Sequence, residues 1–315
     1  MSELLRTEME RLIEQEQLPS SFYPLAARFY LPLADAIADV KKRADRPWMV
    51  GINGAQGTGK STLCRFLELV LRNQHHMNCV SISIDDLYYT RQEREQLAKN
   101  THPLLITRGV PGTHDVSLGI NVCKQLLAAD ENTQTLIPRF NKARDDRFEP
   151  EQWTKYRGKI DVLLFEGWCV GNRPQLPDAL SEPVNALEQQ EDSNGNWRRY
   201  VNNSLQYYQP WFDMLDQLVM LKAPSMAAIF RWREEQEQKL AARHPASAKD
   251  NRIMNSAQIK RFVEHYERLT TFNLEDMPER ADCVYHLNEA HLITRVSGPL
   301  AATMKLDDGL SDHAG

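Results

Sequence analysis

The chain has 315 residues, 42% hydrophobic and 26% charged, and its 38 Lys plus Arg against 43 Asp plus Glu give a formal charge of −5. This is the composition of a globular protein, enough for one large α/β domain or two small ones, and its mild acidity argues against a nucleic-acid surface spread over the whole molecule. There is no apolar run of bilayer length, the charged start MSELLRTEMERLIEQEQ lacks the apolar core of a signal peptide, and Cys64, Cys79, Cys123, Cys169 and Cys283 show neither a zinc spacing nor a disulfide framework. A reducing cytoplasm, with no membrane and no nucleic-acid partner, is the expected setting.

Residues 1–47 read as a helical extension packed on the core, with Phe22, Leu25, Phe29 and Leu33 on one face and an interruption at Leu31-Pro32. Trp48 to Asn53 reads as a short buried strand. Gly54-Ala55-Gln56-Gly57-Thr58-Gly59-Lys60-Ser61-Thr62 comes next and satisfies GxxxxGK[ST] from Gly54 to Ser61. Leu63, Phe66, Leu67, Val70 and Leu71 then repeat at helical spacing. Strand, glycine-rich loop and helix in that order specify a phosphate-binding loop. Glycines let the backbone wrap an anion, and the helix start points amides and dipole at it. Lys60 then reaches the β- and γ-phosphates and Ser61 ligates Mg²⁺. The plain alternative is an ordinary glycine-rich turn.

A second strand is expected over Cys79 to Ile84, ending at Asp85-Asp86, and residues 87–115 read as polar loop. A helix fits 116–129, a basic segment 137–147, and a strand buried on both faces 160–165, ending at Glu166-Gly167-Trp168. The polar run 188–196 reads as surface loop. A strand over 218–221, a charged helix from Ser225, loop over 244–254, a helix over 256–270, a strand over 283–287 and a loose tail complete the pattern. Five strands alternating with helices mean a parallel sheet covered on both faces, with ligands beyond the carboxyl ends of the strands. That rule gathers Gly54 to Ser61, Asp85, Asp86, Glu166 and Trp168 into one crevice. Asp85 there suits a general base for a hydroxyl, although Asp is also a common cap or turn residue.

The ordered motifs GxxGxGKST, SIDDLYYT, RGVPGTHD, PRFNKARDDR and LLFEGW resemble the glycerate kinase branch of the P-loop small-molecule kinases. Uridine kinase, phosphoribulokinase and bacterial pantothenate kinase are more distant relatives in that resemblance, which spans roughly residues 48–290. It implies the P-loop NTPase fold: three layers, α/β/α, with a five-stranded parallel sheet in the order 2-3-1-4-5. It also implies a kinase domain over 48–295, a helical lid over about 224–254 and a flexible tail over 296–315. The implied activity is transfer of the ATP γ-phosphoryl group, with Mg²⁺, to a hydroxyl of a small molecule. D-glycerate is the first choice of acceptor.

By position the resemblance makes Asp85 the base and Lys60 and Arg233 the cations on the moving phosphoryl group. It gives Ser61, Asp85 and Glu166 to the metal, and Arg108, Thr113, His114, Lys142, Arg147 and Trp168 to the acceptor pocket. Other readings stay open: for His114 a loop histidine bonded to Asp115, for Trp168 a core aromatic, for Glu166 a solvated strand-end carboxylate, and for Arg233 a solvated helix with Arg231–Glu235 and Arg233–Glu237 pairs. The segment Asn141 to Arg147 departs from the family pattern, with Asn141 and Ala143 where Asp and Ser are usual and a shortened glycine stretch. Two rivals remain, a nucleoside- or pantothenate-like acceptor and a nucleotide-dependent regulatory protein.

Overall fold

A computed structural model describes residues 2–243 and 254–306. The chain opens with helices α1 (Glu3–Gln15), α2 (Phe22–Leu25) and α3 (Leu31–Arg43), the last two joined by a π-helical turn, Ala26–Tyr30. Pro32 does not break the helix. It directly follows the π-helical turn, and the chain stays helical from Phe22 to Arg43. The apolar stripe Leu5, Met9, Leu33 and Ile37 packs with Phe66, Leu67 and Val70 of α4 (Lys60–His75) in one buried cluster.

The central sheet contains β1 (Trp48–Gly54), β2 (Cys79–Ser83), β7 (Val162–Gly167), β8 (Gln217–Lys222), β9 (Cys283–Leu287) and β10 (Ile293–Ser297). They run in the order β10-β9-β8-β1-β7-β2, so the sheet has six strands rather than the expected five. The first five in sequence pair in parallel, and β10 folds back antiparallel on β9. β10 escaped the sequence pattern because it is an edge strand with Thr294 and Arg295 exposed. Val296 and Ser297, expected in the tail, lie in this strand, and Leu300 and Met304 are buried; residues 307–315 lie outside the described residues. Side chains of the inner strands alternate between two cores. Val50, Ile52, Val162 and Leu164 face the layer of α1, α3 and α4, whereas Met49, Leu163 and Phe165 face the opposite layer.

That second layer contains α6 (Val116–Leu127), α8 (Asn196–Phe212) and α10 (Ser256–Asp276). Two stretches expected as loop are partly helical. Arg91–Asn100 forms α5, started by a reciprocal capping box between Thr90 and Glu93. Ala186–Glu191 forms α7 within the polar run, because Glu188 is fully buried against Arg268 of α10. The basic segment folds into small antiparallel ribbons: β3 (Gln134–Ile137) with β6 (Thr154–Arg157), and β4 (Phe140–Asn141) with β5 (Asp146–Arg147). The charged helix is α9 (Met226–Arg243); residues 244–253 of the expected lid lie outside the described residues.

Candidate active site

The phosphate loop sits between the end of β1 and the start of α4. Gly57 and Gly59 adopt φ of +83° and +91°, a region that L side chains rarely enter, and Gly59 caps α4. A Cβ on Gly57 would also come within 3.1 Å of Trp232 Cβ, because α9 crosses directly over the loop. Lys60 Nζ donates to the carbonyl of Ala55 at 3.1 Å, which places the ammonium inside the cradle. Thr58 donates to the same carbonyl at 2.8 Å and fixes the turn.

Two carboxylates reach this cradle from neighbouring strands. Glu166 stands beside Ile52 and Ser83 in the parallel register, and its Oε1 accepts from Ser61 Oγ at 3.1 Å. Two hard oxygens so placed fit Mg²⁺, which is commonly held by one or two protein groups and the substrate's phosphates. Among the described residues no cluster of three His, Cys, Asp or Glu forms a metal cage. Asp85 follows β2 in a 3₁₀ turn, Ile84–Leu87, started by Ser83 Oγ accepting from Asp85 N. Its Oδ1 accepts from Tyr88 Oη at 2.8 Å and its Oδ2 from Lys142 Nζ at 2.9 Å. Burial alone would raise its pKa; Lys142, Tyr88 and Lys60 outweigh that and hold the carboxyl below its usual range. Lys142 is raised in turn, chiefly by Asp85.

Asp86 faces away from this group. It accepts from Arg139 Nη1 and from the backbone N–H of Phe140, tying the β4–β5 ribbon to the end of β2. Asn141 Oδ1 caps the ribbon's turn by accepting from Ala143 N and Arg144 N, and Lys142 projects from that turn to Asp85. The ribbon is held from below by the fully buried Arg94, which donates to Asp145 and to the carbonyls of Tyr89 and Ile106.

Of the expected pocket residues, Thr113, His114 and Trp168 are buried, Trp168 as its core-aromatic reading had it. Thr113 is fully buried; its hydroxyl donates to Val110 O and accepts from Gly109 N. His114 is buried, stacked on Tyr88 at 4.5 Å, and its Nδ1 lies 2.8 Å from Tyr208 Oη, so its partner is not Asp115. Burial pushes its pKa down to about 3, leaving a neutral ring. Trp168 is buried, donates to Gly109 O and meets Tyr266 edge-on. Arg147 is bound to Asp115 and near Glu93. Arg108 pairs with Asp145 and lies over the Phe140 ring at 5.3 Å. Thr113, His114 and Trp168 thus lie beneath the crevice, Arg108 and Arg147 are half-buried and paired with Asp145 and Asp115, and Lys142 is the expected acceptor-pocket residue that touches Asp85. Glycine is required at position 109 on two counts: its φ is +139°, and any Cβ there would overlap the Tyr266 hydroxyl.

Arg233 points along α9, pairs with Glu237 and lies over the Phe262 ring at 5.2 Å. The open alternative is thus half realised. Arg233–Glu237 forms, whereas Arg231 pairs with Glu289 instead of Glu235. Sequence reading gave no role to His291, yet its ring stacks on Trp232 at 3.9 Å and its Nε2 lies 3.0 Å from Gly57 O. That contact joins the β9–β10 turn, α9 and the phosphate loop, and no periodicity announces it.

A phosphate cradle, a serine–glutamate pair and an ionised aspartate at one end of a parallel sheet can bind and move a phosphoryl group. Known proteins agree. The sequence is 34% identical over 254 residues to the uncharacterized kinase mug58 of Schizosaccharomyces pombe, covering 78% of this chain and 87% of that one. The chain belongs to the P-loop small-molecule kinases of the glycerate kinase branch. The kinase is also 30% identical over 228 residues to the chloroplastic D-glycerate 3-kinase of Arabidopsis thaliana; the match covers 70% of this chain but 46% of that longer protein. Its fold resembles the D-glycerate 3-kinase of Cryptococcus neoformans with a TM-score of 0.71 at 22% identity, covering 85% of this chain and 97% of that one. No protein-family model matches the kinase. None of its described helices is long and apolar enough to cross a membrane.

Proposed function

We propose that this kinase transfers the γ-phosphoryl group of ATP to a hydroxyl of a small hydroxy acid, with D-glycerate the first candidate. The observation that carries the proposal is the Lys142–Asp85 contact of 2.9 Å beside the phosphate loop. It sets an ammonium next to an ionised carboxylate. A lysine ammonium has three donors, and one is used by Asp85. The others suit a substrate carboxylate, while Asp85 accepts the proton of that substrate's hydroxyl. The names of the Arabidopsis and Cryptococcus relatives support the same acceptor.

In this reading the loop amides from Gly54 to Thr62 and Lys60 hold the triphosphate. The substrate oxygen attacks the γ-phosphorus in line, its proton passes to Asp85, and the bond to the bridging oxygen of ADP breaks. Mg²⁺, when bound with the nucleotide, neutralises charge on the β- and γ-oxygens. Ser61 and Glu166 would hold it. Each oxygen of Asp85 accepts one hydrogen bond and keeps a second lone pair for the substrate's proton. Arg233 reaches the phosphates by leaving Glu237, a change that lid closure would supply.

The test is ATP consumption with a panel of D-glycerate, other small hydroxy acids, uridine and pantothenate. Turnover with a hydroxy acid supports the proposal. Turnover with uridine or pantothenate alone would replace the acceptor, and nucleotide hydrolysis indifferent to every acceptor would favour a regulatory role.

A further inference from the structure

A second polar cavity, of about 210 Å³, opens at the other end of the sheet, far larger than a single water needs. Asp216 and Asp282 sit immediately before β8 and β9 and line it, with Gly171, Arg173, Asp213 and Arg280. The phosphate loop lies beyond the opposite ends of these strands, a separation of roughly 20 Å for a six-residue strand. This cavity therefore takes no part in the chemistry proposed above.

Its charges are unevenly committed. Asp216 is held by Arg46 and accepts from Met49 N; Asp282 accepts from Leu218 N at 2.7 Å. Both acids are occupied in capping strand starts. Asp213 is exposed and contributes one carboxylate at the rim. The guanidiniums are less satisfied. Arg280 donates from Nε to Asp276 at 2.6 Å, and its Nη2 is buried without a partner. Arg173 is exposed and has no hydrogen-bond or ion-pair partner among the described residues. The two are near enough for the charge of Arg173 to add to burial in lowering Arg280. Neighbouring guanidinium charges repel, and planar N–H forks match carboxylate and phosphate oxygens.

We propose that this cavity is a second small-molecule site, binding a compact carboxylate or phosphate between Arg173 and Arg280, and that its occupancy is felt at the phosphate loop. The connection is short. Asn53, immediately before Gly54 and fully buried, donates to Trp168 O and Val170 O, so it grips the segment that runs on to Gly171 and Arg173. Its Oδ1 accepts from Asn273 of α10, the helix whose end carries Asp276, the partner of Arg280. Both walls of the cavity are thus tied to one residue next to the cradle.

The experiment uses the full chain saturated with Mg²⁺ and a non-hydrolysable ATP analogue, which removes the phosphate loop as a competing anion site. Calorimetric titrations with inorganic phosphate and with acetate then tell phosphate from carboxylate preference. One of the two should bind, and Arg173→Ala, at an exposed position, should weaken it tenfold or more without changing the melting temperature. Arg280→Lys should weaken it as well. No binding of either anion, or equal binding to Arg173→Ala, overturns the site. Saturating anion should shift the analogue's Kd at least threefold in the wild type and not in Arg173→Ala; an unchanged wild-type Kd overturns the coupling. Should the analogue itself fail to bind, the kinase reading falls separately, and the titration proceeds in Lys60→Ala.

Discussion

The rim of the crevice and the layer beneath it carry equally distinctive motifs, yet they use them differently. At the rim, Lys60, Ser61, Asp85, Lys142 and Glu166 keep charged or hydroxyl groups within reach of a ligand. Beneath it, Thr113, His114, Trp168, Arg94 and Arg147 direct hydrogen bonds to backbone carbonyls, to Tyr208 and to Asp115, with His114 Nε2 left buried and unpartnered. A motif therefore marks a place that tolerates few residues. Whether its polar atoms are bonded within the site or to the surrounding fold decides whether the reason is chemistry or support. If so, rim variants should lose turnover and keep stability, and variants below should do the reverse.

The largest effect is expected at the rim. Lys60→Ala should abolish phosphoryl transfer. Asp85→Asn should lower kcat by about 10²–10⁴-fold, the usual range for a general base, with nucleotide affinity retained. A steady-state assay with a parallel nucleotide titration checks both, and an unchanged kcat in Asp85→Asn would merge the two regions. A loss of stability rather than turnover is expected at Glu188 of α7, whose side chain is 1% exposed and bound to Arg268. Glu188→Ala leaves a buried guanidinium unpaired and should destabilise the fold by about 3–5 kcal/mol in a urea titration.

Lys142→Ala should come next. Loss of a charge-assisted contact, worth about 1.5–3 kcal/mol, predicts a rise in KM of roughly 10–100-fold for a carboxylate acceptor. A neutral acceptor should be affected much less, and an equal effect on both would remove Lys142 from acceptor binding. His114 gives a pH signature for the layer below. Burial holds it at about 3 in the fold, against an ordinary value of 6.5. Between those values the unfolded chain carries the extra proton. Stability should therefore fall as the pH drops through that window, by about 1.4 kcal/mol per unit from this group. His114→Gln should flatten that slope in acid titrations followed by urea unfolding. The smallest effect belongs to Arg231, an exposed partner of Glu289, where Ala should change stability by no more than about 1 kcal/mol.

How far the sequence revealed each region follows from the same contrast. The phosphate loop and the strands leading to Asp85 and Glu166 were legible because strand, turn and helix periods are local, and because parallel strands deliver their ends to one crevice. The contact between Lys142 and Asp85 spans 57 positions and depends on Asn141 closing a turn and Arg94 clamping Asp145, neither of which has a period. α7 was hidden because Glu188 looks solvated until Arg268 arrives from 80 positions away. β10 was hidden because an edge strand need not alternate.

The most direct measurement follows phosphorus by NMR in a mixture of ATP, Mg²⁺, D-glycerate and the purified kinase, with Asp85→Asn alongside. A phosphomonoester signal growing in step with ADP in the wild type, and absent in a variant that still binds nucleotide, is the predicted result. ADP accumulating with free phosphate alone, or the same ester formed at the same rate by Asp85→Asn, would contradict the account.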